Sequence, residues 1–215
     1  MTYSTLITDA QAFYATLAQN NKRDWWLENK ATYDTKMKVP ALTLLDAISP
    51  AISQIADVPV KGKLFRPHRD VRFSKDKTPY KTHLHMLWQL QTEGRQNPVF
   101  FFGIGVDYVR AGAGMMAFDK PVLEDWRKFA DMDYKRMLGI IGGAEAKGYT
   151  LREPALKRIP SVYGKDHPAG HLLRRKGLMI SGLIDSSTQD LPAAILSNFK
   201  DLWPVNELLV QISEA

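Results

Sequence analysis

The chain has 215 residues and no cysteine, which excludes disulfide scaffolds, thiol nucleophiles, iron–sulfur clusters and cysteine-based zinc sites. Hydrophobic residues at 45% and charged residues at 24% are ordinary globular values, so wholesale disorder is excluded as well. The net charge of +6 is confined: Lys61 to Lys81 holds eight bases and two acids, while the rest of the chain balances at 21 of each.

The length fits one domain over residues 1–215, at roughly 100–200 residues per domain. Met1 to Ala10 lacks a basic start followed by an apolar stretch, so no secretory signal is expected. The longest apolar-plus-glycine run, Val99 to Val106, is far short of the roughly 18 residues of a membrane span. The expected location is the cytoplasm, with no membrane partner.

In chain order, Thr8 and Gln11 have the spacing of a capping box. Phe13, Tyr14 and Leu17 follow at helical spacing, and Asn20-Asn21 ends that helix. Asp24 is placed to cap a second helix carrying Trp25, Trp26, Asn29, Lys30 and Tyr33. Adjacent residues on a helix point about 100° apart, so one of the two tryptophans is expected in the core and the other partly exposed. Pro40 suits the first turn of a third helix with a stripe of Leu42, Leu45, Ile48, Ile52 and Ile55. Pro50 is expected to kink or split it.

From Val60 to Phe73 alternation replaces helical spacing and predicts short strands; Ser74 to Pro79 is turn chemistry. Val99 to Val106 predicts a strand buried on both faces, with Tyr108 to Phe118 as its hairpin partner. Gly112 and Gly114 there permit close backbone approach. Asp119 and Asp133 are placed to cap helices that bury Val122, Trp126, Leu138 and Ile141. Thr150 to Lys157 reads as extended. Asp166 reads as the cap of a short helix ending at Gly177, Leu178 to Ile184 as a strand, and Asp190 and Pro204 as the starts of two last helices. Helices at both ends and strands between them predict an α+β fold: a central antiparallel or mixed sheet with helices from the N- and C-terminal segments packed on it.

The densest chemistry lies in Arg66-Pro-His-Arg69-Asp70-Val-Arg72-Phe73-Ser-Lys-Asp76-Lys77-Thr-Pro-Tyr80-Lys81. Arginine forks grip carboxylate or phosphate through paired hydrogen bonds. Arg66, Arg69, Arg72, Lys77 and Lys81 are therefore candidate ligands for a multiply charged anion, with Tyr80 to orient it. Asp70 and Asp76 offer the competing account, in which they neutralise Arg69, Arg72 or Lys77 internally. A second basic stretch, Lys157, Arg158, Lys165, Arg174, Arg175 and Lys176 against Asp166, is a further candidate for the same face.

The pattern Arg-x-x-Arg-Asp-x-Arg-Phe-x-x-Asp-Lys-x-x-Tyr resembles the signature of an uncharacterised bacterial family, domain of unknown function 2461. The resemblance extends to Asn20-Asn21, Trp25-Trp26, Asn29, Lys30 and Tyr33 before it, and to Leu156–Pro160 and Asp166-His167-Pro168 after it. It implies one intact domain and supplies no reaction.

Other constellations are weaker. His83-x-His85 places two imidazoles on one face of a strand, and His167 and His171 have i, i+4 spacing, but two ligands do not make a metal site. No metal is therefore expected. Asp70 and Asp76 are possible carboxylates for phosphodiester chemistry, although carboxylates among cations more often anchor ion pairs. Trp25, Trp26 and Tyr33 are possible stacking residues, although aromatics at helical spacing are more often core. No glycine-rich nucleotide loop and no nucleophile elbow occurs, so no cofactor is expected. Three readings follow. The chain binds a phosphorylated or otherwise multiply anionic small molecule, with or without catalysis; it is an interaction protein whose arginines are satisfied internally; or it binds nucleic acid, which its pI of about 9.4 allows.

Overall fold

Apolar residues at helical spacing set the first elements. In the computed structural model, which describes residues 5–215, helix α1 (Leu6–Gln19) buries Leu6, Ile7, Ala10, Phe13, Tyr14 and Leu17. Met1–Ser4, the start of the stretch read for a leader, lie outside the described residues. Thr8 sits inside α1 rather than capping it. The helix ends where expected, with the Asn20 N–H donating to the Leu17 carbonyl at 3.0 Å.

Helix α2 (Arg23–Tyr33) passes through one π-helical turn, Asp34–Lys38, into α3 (Val39–Ala56). Lys22, not Asp24, is the N-cap of α2; Asp24 lies in the first turn, where a carboxylate complements the helix dipole. Trp26 is buried and Trp25 half-buried, as their 100° separation requires. Pro50 does not split α3, because it lies on the exposed side while Leu44, Leu45, Ile48 and Ile52 keep the inner stripe intact. Leu42 falls off that stripe and is exposed. The continuous run Arg23–Ala56 has the length and apolar content of a membrane span among the described residues, but Met37, Ala41, Leu44, Ile48 and Ile52 of that run are buried in the core.

Six strands form one antiparallel sheet: β1 (Val60–Leu64), β2 (His83–Leu90), β3 (Val99–Gly105), β4 (Val109–Met115), β5 (Thr150–Leu151) and β6 (Leu178–Leu183), in the order β1-β2-β3-β4-β6-β5. The α+β class is thus observed, with an antiparallel sheet. The expected strands between Leu64 and Phe73 do not form. Asp70 and Asp76 instead accept the backbone N–H of the residue two positions on, at 3.2 and 2.9 Å, and such turns compete with a ladder. One isolated bridge, His68 to Tyr80, closes the loop. The extended reading of Thr150 to Lys157 reduces to the two residues of β5.

Period-2 alternation splits β2 cleanly. Leu84, Met86, Trp88 and Leu90 are buried, with Phe100, Phe102 and Ile104 of β3 beside them. Helices α1 and α3, and the C-terminal α7 (Leu191–Glu214), pack on this face. Helices α4 (Lys120–Met132) and α5 (Tyr134–Ala146) pack on α7. Asp119 and Asp133 are their N-caps, as read from the sequence, although Leu138 is exposed. Asp190 caps α7, accepting the Ala193 N–H at 3.0 Å. Pro204 does not begin a new helix; it too lies on the exposed side of an unbroken one. The expected burial of β3 on both faces is only partly met, because Val99 and Phe101 on its second face are half-buried.

Candidate functional site on the open face of the sheet

The cationic loop between β1 and β2 has largely closed on itself. Arg69 donates to Asp76 at 2.5 Å, to the Thr78 carbonyl at 3.1 Å, to the Thr78 hydroxyl and to the Ser74 hydroxyl at 3.4 Å. Arg72 grips Asp70 with two nitrogens, Nε on Oδ1 at 3.0 Å and Nη2 on Oδ2 at 2.7 Å. Lys77 donates to the Val71 carbonyl and Lys81 to the Arg66 carbonyl. The Thr78 N–H first, then the Arg69 guanidinium and the Thr78 hydroxyl, hold the Asp76 carboxyl down at about 2. Tyr80 is buried and lies flat on Trp26, ring centroids 4.4 Å apart. Asn21 holds the Tyr80 backbone at both ends, donating to its carbonyl at 2.8 Å and accepting its N–H at 3.1 Å. Arg66 is the exception: among the described residues its guanidinium has no hydrogen-bond partner.

The larger hollow lies elsewhere, on the sheet face away from α1, α3 and α7. It is a cavity of about 910 Å³. Strand register builds its floor in rows. One row runs His85, Gly103, Arg110; the next runs Lys63, Leu87, Phe101, Gly112, Ser181, Thr150; a third runs Lys61, Gln89, Val99, Gly114, Met179. Each row has a glycine in the middle of the sheet; rings lie over Gly103 and Gly112, while Gly114 has the Leu178 backbone against it. A Cβ on Gly103 would stand 2.4 Å from the His85 ring, and one on Gly112 would stand 2.3 Å from Phe101. The floor is therefore made of ring faces instead of upright side chains.

Polar groups converge at the margins of this trough. His85 Nε2 and Tyr108 Oη are 3.0 Å apart, and the His83 and His85 rings stack at 4.0 Å. Burial first, then the neighbouring His83 and Lys81 charges, push the His85 imidazole down to about 4. It is therefore neutral at neutral pH, and its partner Tyr108 is held protonated by burial. The Lys63 and Lys81 ammonium groups stand 5.1 and 5.4 Å from the centroid of the Phe65 ring, which lines one end. The Arg110 guanidinium stands 5.9 Å from Tyr108, and Arg152 lines the far end. Burial chiefly, then Arg66 and Lys63, lowers the Lys81 ammonium.

A family model described as a conserved hypothetical protein, DUF2461, matches residues 9–208. The chain belongs to the DUF2461 family. No curated protein matches it. Two of the DUF2461-like stretches read from the sequence, Asn20 to Tyr33 and Arg66 to Tyr80, meet through the Asn21–Tyr80 bonds and the Trp26–Tyr80 stack. Of the residues named from sequence, Arg69, Arg72, Lys77 and Tyr80 line neither hollow described here, Lys81 stands at the edge of the larger one, and Arg66 lines a smaller one.

The sequence reading missed His85, Phe101, Tyr108, Arg110, Arg152 and Ser181 as a group. The available signal was the alternate positions of β2 and β3 opposite Gly103, Gly105, Gly112 and Gly114. His167 and His171 do not share a helix, since α6 is only Gly170–Leu173. His167 contacts Asp131 at 2.9 Å, and His171 faces Arg175. No group of three or more metal-ligating side chains occurs among the described residues.

Proposed function

We propose that this DUF2461 protein binds a small molecule with a flat apolar body and an acidic group on the open face of its sheet. The observation that carries the reading is a mostly apolar trough of about 910 Å³ whose lining includes Arg110 and Arg152, with Lys63 and Lys81 beside its lining residue Phe65. Ligand sites are typically concave, apolar and furnished with a few placed polar groups. Phe101, Leu87 and Met179 hold the body against the ring-paved floor. Arg110 and Arg152, or Lys63 and Lys81 at the other end, hold the acid. The expectation of an anionic ligand is thereby kept, while the side chains that receive it differ from most of those named from the sequence. For Arg69 and Arg72 the closed ion pairs favour the architectural reading.

Calorimetric titration with an anionic naphthalenesulfonate dye and an uncharged naphthalene of similar size tests this. Combined Arg110→Ala and Arg152→Ala substitution is expected to weaken the anion about tenfold or more and to leave the uncharged probe unchanged. Ser181→Trp, which fills the trough, abolishes both. Absence of saturable binding by the parent protein, or unchanged binding by the Ser181→Trp variant, overturns the proposal. Displacement of the dye by oligonucleotides with a steep salt dependence would favour the nucleic-acid reading in its place.

A further inference from the structure

A second hollow, of about 330 Å³, lies between α2 with its π-helical turn and the chain that leaves β1. The two family-like stretches form its opposite walls: Trp26, Lys30 and Tyr33 on one side, Arg66, Pro67 and His68 on the other. Single π-helical turns are rare and recur at functional sites. Here the extra residue in the turn lies between Lys30 and Lys38, both of which line the hollow.

Three cations, Lys30, Lys38 and Arg66, face the hollow against one acid, Asp34. Asp34 is shared by the two lysines, touching Lys30 directly and Lys38 at 3.9 Å, so it neutralises at most one of them. The Arg66 fork is unpaired among the described residues. Tyr33 also lines the hollow, and although its residue is only 4% exposed, its hydroxyl has no hydrogen-bond partner among the described residues. Burial first and Asp34 second push that phenol up to about 12. It therefore stays protonated and remains a donor. The hydroxyl oxygen is not among the fully buried unpartnered polar atoms of the described residues, so this free donor is reachable from the hollow.

We infer that the Tyr33–Arg66 hollow is a phosphoryl-binding site, distinct from the trough on the sheet, in which the Arg66 fork, the Tyr33 hydroxyl and the ammonium groups of Lys30 and Lys38 receive the oxygens of a phosphate or phosphate monoester. A phosphoryl group matches this donor set. A planar fork takes two of its oxygens, a hydroxyl and point charges take the others, and the surplus of cations balances a dianion. The aromatic wall of Trp26, Tyr33 and His68 backs the donors: Trp26 and Tyr33 ring centroids are 5.0 Å apart, and His68 stands edge-on to Trp26 at 6.0 Å.

The test is calorimetric titration of the full chain at low salt with inorganic phosphate and, separately, glycerol phosphate, which lacks the flat apolar body proposed for the trough. Glycerol phosphate binding much more tightly marks a monoester site; equal affinity marks a site for the free ion. Arg66→Ala is expected to weaken both about tenfold or more. Tyr33→Phe is expected to weaken both several-fold while leaving the melting temperature unchanged, because the hydroxyl makes no hydrogen bond among the described residues that the substitution would break. Arg110→Glu, at the trough, leaves both titrations unchanged, so failure of this site and failure of the trough are read separately. No saturable binding of either probe up to about 10 mM, or parental affinity in the Arg66→Ala variant, overturns the inference.

Discussion

The central glycines of the open face separate two kinds of close contact, and Gly112→Ala against Gly103→Ala measures the difference. At Gly112 a Cβ would meet the Phe101 ring at 2.3 Å and the Ile180 carbonyl oxygen at 2.5 Å. The ring has room to swing into the trough, but the carbonyl belongs to β6, whose register is fixed on both sides by β4 and β5. Relief therefore requires backbone displacement inside the sheet. Overpacking of that kind costs typically about 1–3 kcal/mol, and the backbone contact puts this case near 2 kcal/mol or above. For a chain of this length roughly 2–4 °C of melting temperature goes with each kcal/mol, so a drop of about 4–8 °C is expected. At Gly103 the near atoms all belong to the His85 ring, at 2.4, 2.7 and 3.4 Å. That ring moves aside at a cost of about 1 kcal/mol or less, but it leaves Tyr108. Paired thermal and urea unfolding gives the stabilities. NMR titration of His85 in the Gly103→Ala variant gives the second readout, a pKa rising from about 4 toward the ordinary histidine range. Equal stability of the Gly112→Ala variant and the parent would refute the account of the floor as a glycine-backed surface.

The remaining predictions concern charge. Arg72→Ala is expected to leave the urea-unfolding midpoint unchanged, since exposed ion pairs contribute little and the Arg72 and Asp70 side chains are 76% and 49% exposed; a clear drop in the midpoint would show that the pair organises the loop. For His85, the ordinary value is 6.5 and the folded value about 4, so between them the unfolded chain binds a proton that the native state refuses. The stability from its burial is complete above about 6.5, declines as pH falls toward about 4 and is constant below that. A plot of melting temperature against pH should therefore be flatter for His85→Phe than for the parent over that interval, and identical slopes would contradict the burial of a neutral imidazole.

Much of the scaffold was legible because local chemistry fixed it. Asp190 caps α7, Asn20 stops α1, and the apolar run Val99 to Val106 predicts the strand that becomes β3. Pro50 and Pro204 misled because a proline breaks a helix only where its missing donor or its ring meets something that cannot adapt. Both lie on exposed sides, where water serves the freed carbonyl. The loop from Phe65 to Lys81 misled for a related reason. Alternation of Arg69, Val71 and Phe73 suggested a strand, but Asp70 and Asp76 compete for backbone N–H groups only two residues away, and Phe73 ends 97% exposed. The trough was hidden because no segment contains it. Its floor needs one residue from each of several strands in register, and its glycines look like packing positions until the rings lying over them are seen.

The charge surplus that the sequence confines to Lys61–Lys81 is unevenly used in the structure. Asp76 and Asp70 are taken by Arg69 and Arg72, which leaves the surplus on the other bases of the window. Lys63 and Lys81 share the ring of Phe65, and Lys81 donates to the carbonyl of Arg66. These three cations have no acid partner among the described residues, and the lowering of Lys81 by Arg66 and Lys63 in addition to burial registers their mutual repulsion. Phe65 lines both hollows, so the unneutralised charge stands at the seam between them. Like charges crowded at a concave seam are unfavourable for folding alone and favourable for holding an anion. That is why the same surplus that fails to mark the arginine loop as a site supports an anionic occupant on either side of it.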